Sequence, residues 1–145
     1  MPLGKLIETC SIEVIKKIGL MEKEGENITN NGGKLIFPCF NHSNKKIRIS
    51  EQEARVLFIQ EIEKLNNPNL YYSVETPTVG KYNFTSTLNK STSGSLDMCL
   101  LQSIQSKSGK TLDRILNIEF KAHNPKGFDN DFEKLFHEPS DGLFF

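Results

Sequence analysis

Residues 114–124, with the sequence RILNIEFKAHN, combine the pattern of a buried β-strand with two charges. Ile118 and Phe120 alternate with Glu119 and Lys121, so in a strand the apolar pair points to one face and the charged pair to the other. The further apolar residues at 115 and 116 favour a strand in the middle of a sheet. The sequence therefore predicts a carboxylate and an ammonium side by side at the C-terminal end of a core strand.

The preceding apolar segment, SLDMCLLQSI at 95–104, predicts a second central strand that carries one carboxylate. Leu96, Met98 and Leu100 form its core set, and Asp97 points the other way together with Cys99. If a turn over 105–113 joins the two strands as neighbours, Asp97 can lie beside Glu119. Two close carboxylates on an apolar sheet repel each other unless something neutralises them, and a divalent cation does so well. Mg²⁺ prefers one or two carboxylates and takes its other ligands from water and substrate phosphate.

The rest of the chain predicts helices and further strands around this pair. Helical periodicity extends over 5–24, 128–138 and a segment that begins at Ser50, where the sequence SEQE fits a capping box. Strand patterns cover 34–40 and 70–84, the latter with a hairpin at Val79-Gly80 as an alternative, and 85–94 is a polar loop. The apolar end GLFF indicates either a final short strand or a cut inside a longer protein.

The composition is that of one soluble globular domain. The chain has 145 residues, of which 37% are hydrophobic and 25% charged, and it contains no apolar run long enough to cross a membrane. The charges balance at zero net charge, which argues against a purely electrostatic nucleic-acid binder but leaves a nucleic-acid enzyme open. Three widely spaced cysteines and the lack of a signal-peptide pattern predict a cytoplasmic protein with reduced thiols.

The segment SGSLDMCLL, a turn, and then NIEFKAHN resemble the PD-(D/E)XK nuclease superfamily, which has the restriction endonuclease-like fold. The family signature is an Asp on one core strand and Glu-x-Lys on the next, which correspond here to Asp97 and to Glu119 and Lys121. The resemblance implies an α/β fold with an αβββαβ core, a mixed sheet flanked by helices, over residues 50–145. Residues 1–49 lie outside it and are expected to form an N-terminal helix and an extension that packs on the core. Leu96 stands where the family often has proline.

The activity implied by this resemblance is hydrolysis of DNA phosphodiester bonds, with RNA as a further substrate class. Asp97 and Glu119 would bind Mg²⁺ or Mn²⁺, and Lys121 would position the attacking water and stabilise the transition state. The family often adds a glutamate from the first core helix, for which Glu53 is favoured and Glu51 is second. A capping box with Ser50 explains Glu53 equally well. A homodimer or larger assembly is an option, and the alternative function is a non-catalytic module that binds nucleic acid or protein.

Several basic or polar residues are candidates for phosphate contacts, and one short spacing has a zinc alternative. The candidates for nucleic-acid binding are Lys45, Lys46, Arg48, His123 and Lys126. The first interpretation of Lys45, Lys46 and Arg48 is a solvated surface, and that of His123 is a structural role at the end of a strand. Cys39 and His42 have the Cys-x-x-His spacing of a zinc site, but no second pair of ligands stands at a matching spacing.

Overall fold

The computed structural model describes residues 3–24, 35, 39–41, 46–47, 50–82, 92–121 and 128–145. For residues 21–24, 39–41, 46–47 and 92–93, only the backbone is described. The chain divides into two compact units, Met1–Asn66 and Asn67–Phe145. The predicted division into 1–49 and 50–145 stays a prediction.

Within its described residues, the first unit contains two helices and a small two-stranded sheet. The elements are α1 (Leu3–Glu24), β1 (Cys39–Asn41), β2 (Lys46–Ile47) and α2 (Glu51–Lys64). The helices bury apolar stripes at helical spacing, which are Ile7, Cys10 and Val14 on α1, and Ala54, Leu57, Phe58 and Ile62 on α2. Both helices were predicted, and both are confirmed.

The start of α2 differs from the capping box in its hydrogen bonding. Ser50 is the N-cap, with the extended backbone expected there (φ −130°), but its side chain makes no capping hydrogen bond. The carbonyl of Ser50 instead accepts the first helical bond from the N–H of Ala54. The position of the N-cap is thus confirmed, whereas the predicted side-chain bond is absent.

The second unit is a four-stranded mixed sheet with one helix, and its element order agrees with the predicted strands, helix and final short strand. The elements are β3 (Leu70–Tyr82), β4 (Thr92–Ser106), β5 (Gly109–Glu119), α3 (Phe128–His137) and β6 (Asp141–Phe144). The strand order is β3-β4-β5-β6, in which β6 alone runs parallel to its neighbour, β5. The protein is therefore of the α/β class, with a mixed open sheet.

The strand predicted over 70–84 is confirmed by β3, whereas its alternative, a hairpin at Val79-Gly80, does not form. Strand β3 continues to Tyr82 and pairs with β4 on both sides of an irregularity between Pro77 and Lys81. The predicted turn over 105–113 is wrong. The strands continue to a tight hairpin at residues 107–108, followed by Gly109 with a φ of +123° that disfavours other residues.

The core strands bury the apolar residues that their alternation predicted. Leu96, Met98 and Leu100 of β4 are fully buried, as are Ile118 and Phe120 at the end of β5. This burial fixes the register of both strands, since a shift by one residue would carry every side chain to the opposite face. The charged residues between these apolar ones are consequently held at defined positions.

Helix α3 exposes its aromatic side chains and buries a charged one. Of the four apolar residues at helical spacing, only Leu135 is buried, whereas Phe128, Phe132 and Phe136 are 44%, 55% and 73% exposed. The three phenylalanines stack along the outside of the helix, with ring centroids 6.4 Å apart at each step. The inward face carries Leu135 together with the buried Lys134.

The segment that follows α3 is anchored by Glu138, whose side chain is fully buried. Its carboxylate accepts hydrogen bonds from the backbone N–H groups of Val79 (2.9 Å) and Gly80 (2.8 Å) and from the hydroxyl of Tyr82 (2.9 Å). It also pairs with Arg114 of β5 at 3.2 Å. A side chain at position 80 would collide with the Tyr82 hydroxyl, because a Cβ there would lie 2.8 Å from that oxygen. One carboxylate therefore ties together β3, β5 and the end of α3.

Candidate active site

The sheet register brings Asp97 and Glu119 together. Met98 pairs with Ile118 and Cys99 with Asn117, so the same register places Asp97 opposite Glu119. Residues directly opposite in an antiparallel pair project from the same face, with Cβ atoms roughly 4.5–5.5 Å apart. The predicted proximity of these two carboxylates thus follows from strand pairing alone.

Both strand ends are held by main-chain bonds. The N–H of Phe120 donates to Oδ2 of Asp97 at 2.8 Å, which fixes the Asp97 carboxylate against the end of β5. Phe145 extends the parallel pairing beyond β6, since its N–H donates to the Glu119 carbonyl and its own carbonyl accepts from the Lys121 N–H, both at 2.8 Å. The three predicted residues Asp97, Glu119 and Lys121 therefore lie on a backbone that is constrained from two sides.

Helix α3 adds two charged residues to this group. Nζ of Lys121 donates to Oδ2 of Asp131 at 2.7 Å, and Nζ of Lys134 lies 3.1 Å from Oδ1 of the same aspartate. Lys134 also lies 2.5 Å from Oε1 of Glu119 and donates to the carbonyl of Ser95 at 2.9 Å. The result is a chain of alternating charges, in the order Glu119, Lys134, Asp131 and Lys121.

Burial has the largest effect on the pKa of Glu119, which is only 2% exposed. Desolvation, with smaller contributions from the negative charges of Asp97 and Asp131, raises the pKa of Glu119 to about 8, although Lys134 acts in the opposite direction. Burial lowers the pKa of Lys134, but the hydrogen bond and charge of Glu119, and then those of Asp131, outweigh it, so the pKa is raised overall. Removing the Lys134 charge would therefore favour a protonated Glu119.

Asp131 and Lys134 were not among the predicted site residues. They stand three apart on a helix, as a solvated i,i+3 ion pair commonly does. The sequence offers no signal that distinguishes this pair from one on a solvated face of a helix.

The other predicted residues lie in the first unit or outside the described residues. Glu53 is 8% exposed in the first turn of α2, within the first unit, and its role as a metal ligand stays a prediction. Lys45, Arg48, His123 and Lys126 lie outside the described residues, as does His42 of the zinc alternative. Lys46 and Cys39 are described by their backbones only, in β2 and β1.

Cys99 is a buried thiol. It is fully buried next to the site, and its Sγ donates to Oδ1 of Asn117 at 3.3 Å. Burial raises the pKa of its thiol, so Cys99 is not activated as a nucleophile.

Within the described part of the chain, no group of three or more His, Cys, Asp and Glu side chains is arranged to hold a metal ion. The described helices include none with the length and hydropathy of a membrane span. Comparison with family models, with curated proteins and with solved structures found no match to this chain.

Proposed function

We propose that this chain is a metal-dependent nuclease with a restriction endonuclease-like core, acting on DNA. The single observation that carries the proposal is the convergence of Asp97, Glu119 and Lys121 where the pairing of the buried strands β4 and β5 ends. A surface strand would have no need to bury a glutamate to 2% exposure beside another carboxylate. Such perturbed carboxylates are typical of functional sites.

The donor set of this site fits a hard divalent cation. Asp97 and Glu119 supply carboxylate oxygens only, which is the ligand chemistry of Mg²⁺ and Mn²⁺. Glu119 already lies against a positive charge, the ammonium of Lys134, at 2.5 Å. Asp97 and Glu119 are the residues that would hold the cation, and when bound it would supply Lewis acidity for phosphodiester hydrolysis.

Side chains of this site would orient the attacking water and stabilise the charge of the transition state. Lys121 positions the attacking water and stabilises the negative charge that develops on the phosphoryl oxygens. Asp131 holds the Lys121 ammonium in place at 2.7 Å, and the Phe120 N–H holds Asp97 at 2.8 Å. The buried neighbours Ile118 and Phe120 keep the strand end from shifting.

A second function is favoured by the pairing of charges in this site. Both Glu119 and Asp131 lie within ion-pair distance of lysines, so the group is also compatible with a purely structural network. On that reading the chain is a non-catalytic module that binds nucleic acid or protein.

Incubation with DNA distinguishes the two functions. Plasmid, short duplex and branched DNA are incubated with the protein in Mg²⁺, Mn²⁺ or EDTA. We expect cleavage with either metal and none in EDTA, and a loss of at least about a hundredfold in Asp97→Asn and Lys121→Met. The matched controls are Asp113→Asn and Lys110→Met, which remove equivalent charges from exposed positions near the hairpin.

Two outcomes of this experiment would contradict the proposed nuclease. Cleavage by both site variants at the wild-type rate would overturn the assignment of the site. Metal-independent binding of DNA by a protein that cleaves no tested substrate would favour the binding module.

A further inference from the structure

The ammonium group of Lys134 lies close to three oxygen acceptors. Its ammonium lies 2.5 Å from the Glu119 carboxylate, 3.1 Å from the Asp131 carboxylate and 2.9 Å from the Ser95 carbonyl. The ammonium donates a hydrogen bond to the Ser95 carbonyl and forms ion pairs with the two carboxylates. Carboxylate and carbonyl oxygens are also the ligands that hard divalent cations select.

The contacts of this ammonium overlap the proposed metal site at Glu119. Glu119 is shared, because it is both the proposed metal ligand and the nearest partner of Lys134. Ser95, whose carbonyl holds Lys134, precedes the other proposed ligand, Asp97, by two residues on the same strand. The Lys134 side chain is only 10% exposed, so water does not compete for these contacts as it would at the surface.

We propose that Lys134 is the internal counter-cation of the metal-free site and competes with the divalent metal for Glu119. This inference rests on the proposed function, since it requires that Asp97 and Glu119 bind metal. Metal binding breaks the Lys134–Glu119 ion pair, while Asp131 retains the ammonium on α3. Lys134 is accordingly a positioning residue, which keeps the two strand ends together before metal arrives.

Two properties follow from this competition. Replacement of Lys134 by methionine keeps most of the aliphatic stem but removes the charge, so it strengthens metal binding by about tenfold or more, as expected for a unit charge a few ångströms from a divalent ion. The same replacement destabilises the metal-free protein, because Glu119 and Asp131 lose their shared cation. Metal therefore raises the melting temperature of Lys134→Met more than that of the wild type.

Calorimetric titration with Mg²⁺ tests the competition on the full chain. Wild type, Lys134→Met and the control Lys110→Met are compared over a series of pH values, because loss of Lys134 raises the pKa of Glu119 above its wild-type value of about 8, and the affinities are taken where they no longer change with pH. Tighter binding in Lys134→Met alone supports the inference. Equal or weaker binding in a folded Lys134→Met protein overturns it. Absence of Mg²⁺ binding in all three proteins overturns the metal site itself, and with it the proposed function.

A second measurement uses the wild-type protein and does not depend on whether Lys134→Met folds. The ammonium signal of a buried lysine is observed by ¹⁵N NMR and assigned to Lys134 by its loss in Lys134→Arg. We expect this signal and the Glu119 side-chain carboxyl signal to shift at the same Mg²⁺ concentrations. A Glu119 signal that shifts while the Lys134 ammonium stays unchanged overturns the competition but retains the metal site.

Discussion

The side chain of Lys121 is paired with Asp131, ten residues further along the chain, and the distance between Nζ and Oδ2 is 2.7 Å. The two side chains are 19% and 16% exposed, so the pair is shielded from most of the solvent screening that weakens surface ion pairs. The lysine of the Glu-x-Lys triplet is thus oriented by the following helix, which gives α3 a direct influence on the proposed chemistry.

Replacement of Asp131 by asparagine tests this influence. We expect DNA cleavage to fall by roughly ten- to a hundredfold, because a displaced catalytic group reacts poorly even when it is retained. The measurement is the single-turnover cleavage rate in Mg²⁺. Asp129→Asn, an exposed carboxylate on the same helix, serves as the control and should cleave normally. Asp131→Glu should restore part of the rate, and a rate in Asp131→Asn equal to that of Asp129→Asn would contradict the role of Asp131.

The raised pKa of Glu119 predicts a pH-dependent stability of the metal-free protein. Its pKa lies at about 8 in the folded state, against 4.5 as the ordinary value, so the folded state binds this proton more tightly than the unfolded state does. The stability contributed by this proton is complete below about pH 4.5 and is lost as pH rises towards 8. Urea denaturation in EDTA between these values should therefore show a falling free energy of unfolding.

Glu119→Gln provides the control for this pH dependence. The amide does not titrate, so the difference in stability between wild type and the variant should change with pH over the same interval. A constant difference between the two proteins would contradict the assignment of this titration to Glu119.

The Glu138 network predicts a large loss of stability when its charge is removed. Glu138→Gln leaves an amide group facing donors from Val79, Gly80, Tyr82 and Arg114, and we expect it to lower the free energy of unfolding by about 3 kcal/mol. Tyr82→Phe removes only one donor and should lower it by about 1 kcal/mol. Equilibrium unfolding in urea at pH 7 gives both values. Similar losses in the two variants would indicate that the Tyr82 bond alone carries the effect.

The stabilisation that the Glu138 network provides depends on pH. Burial raises the pKa of Glu138, but the N–H groups of Val79 and Gly80, the Tyr82 hydroxyl and Arg114 together lower it below 4.5 overall. Its stabilisation is present above about pH 4.5 and disappears as pH falls through the lowered value. The difference between wild type and Glu138→Gln should accordingly shrink in acid.

The two faces of α3 predict opposite sensitivities to truncation. Leu135→Ala removes a residue that is 9% exposed and packs with Leu96, Cys99 and Phe144, so it should lower the free energy of unfolding by about 3 kcal/mol. Phe132 is 55% exposed, and its replacement by alanine should lower it by about 1 kcal/mol or less. Urea unfolding of both variants checks the ranking, and a greater loss for Phe132→Ala would show that its face is buried in solution.

The sequence predicted those parts of the site that depend on strand alternation. Asp97 and Glu119 stand in apolar strands with a period of two, and their neighbours Leu96, Met98 and Ile118 can be buried only if the carboxylates share the other face. The orientation of α3 could not be predicted in this way. Its phenylalanine stripe is the more apolar face, yet the inward face contains Lys134, because Glu119, Asp131 and Ser95 compensate the burial of that charge.

The strand ends near the β4–β5 hairpin were missed for a related reason. From Ser103 to Lys110 the ribbon carries mostly polar residues, and a strand that faces solvent on both sides has no hydrophobic period to detect. Backbone pairing, including that of Ser106 with Gly109, continues there without help from side-chain burial. Composition alone made this segment resemble a loop.

The order of the elements along the chain affects the order in which the residues of the candidate site come together during folding. The β4–β5 hairpin joins residues close in sequence, and such hairpins form in roughly 1–10 μs, far faster than a ribosome adds residues. Asp97 and Glu119 can therefore come to lie opposite each other before α3 packs against the sheet. At that stage no lysine from α3 stands beside Glu119, so the proposed metal site would be open to a cation from the surrounding solution.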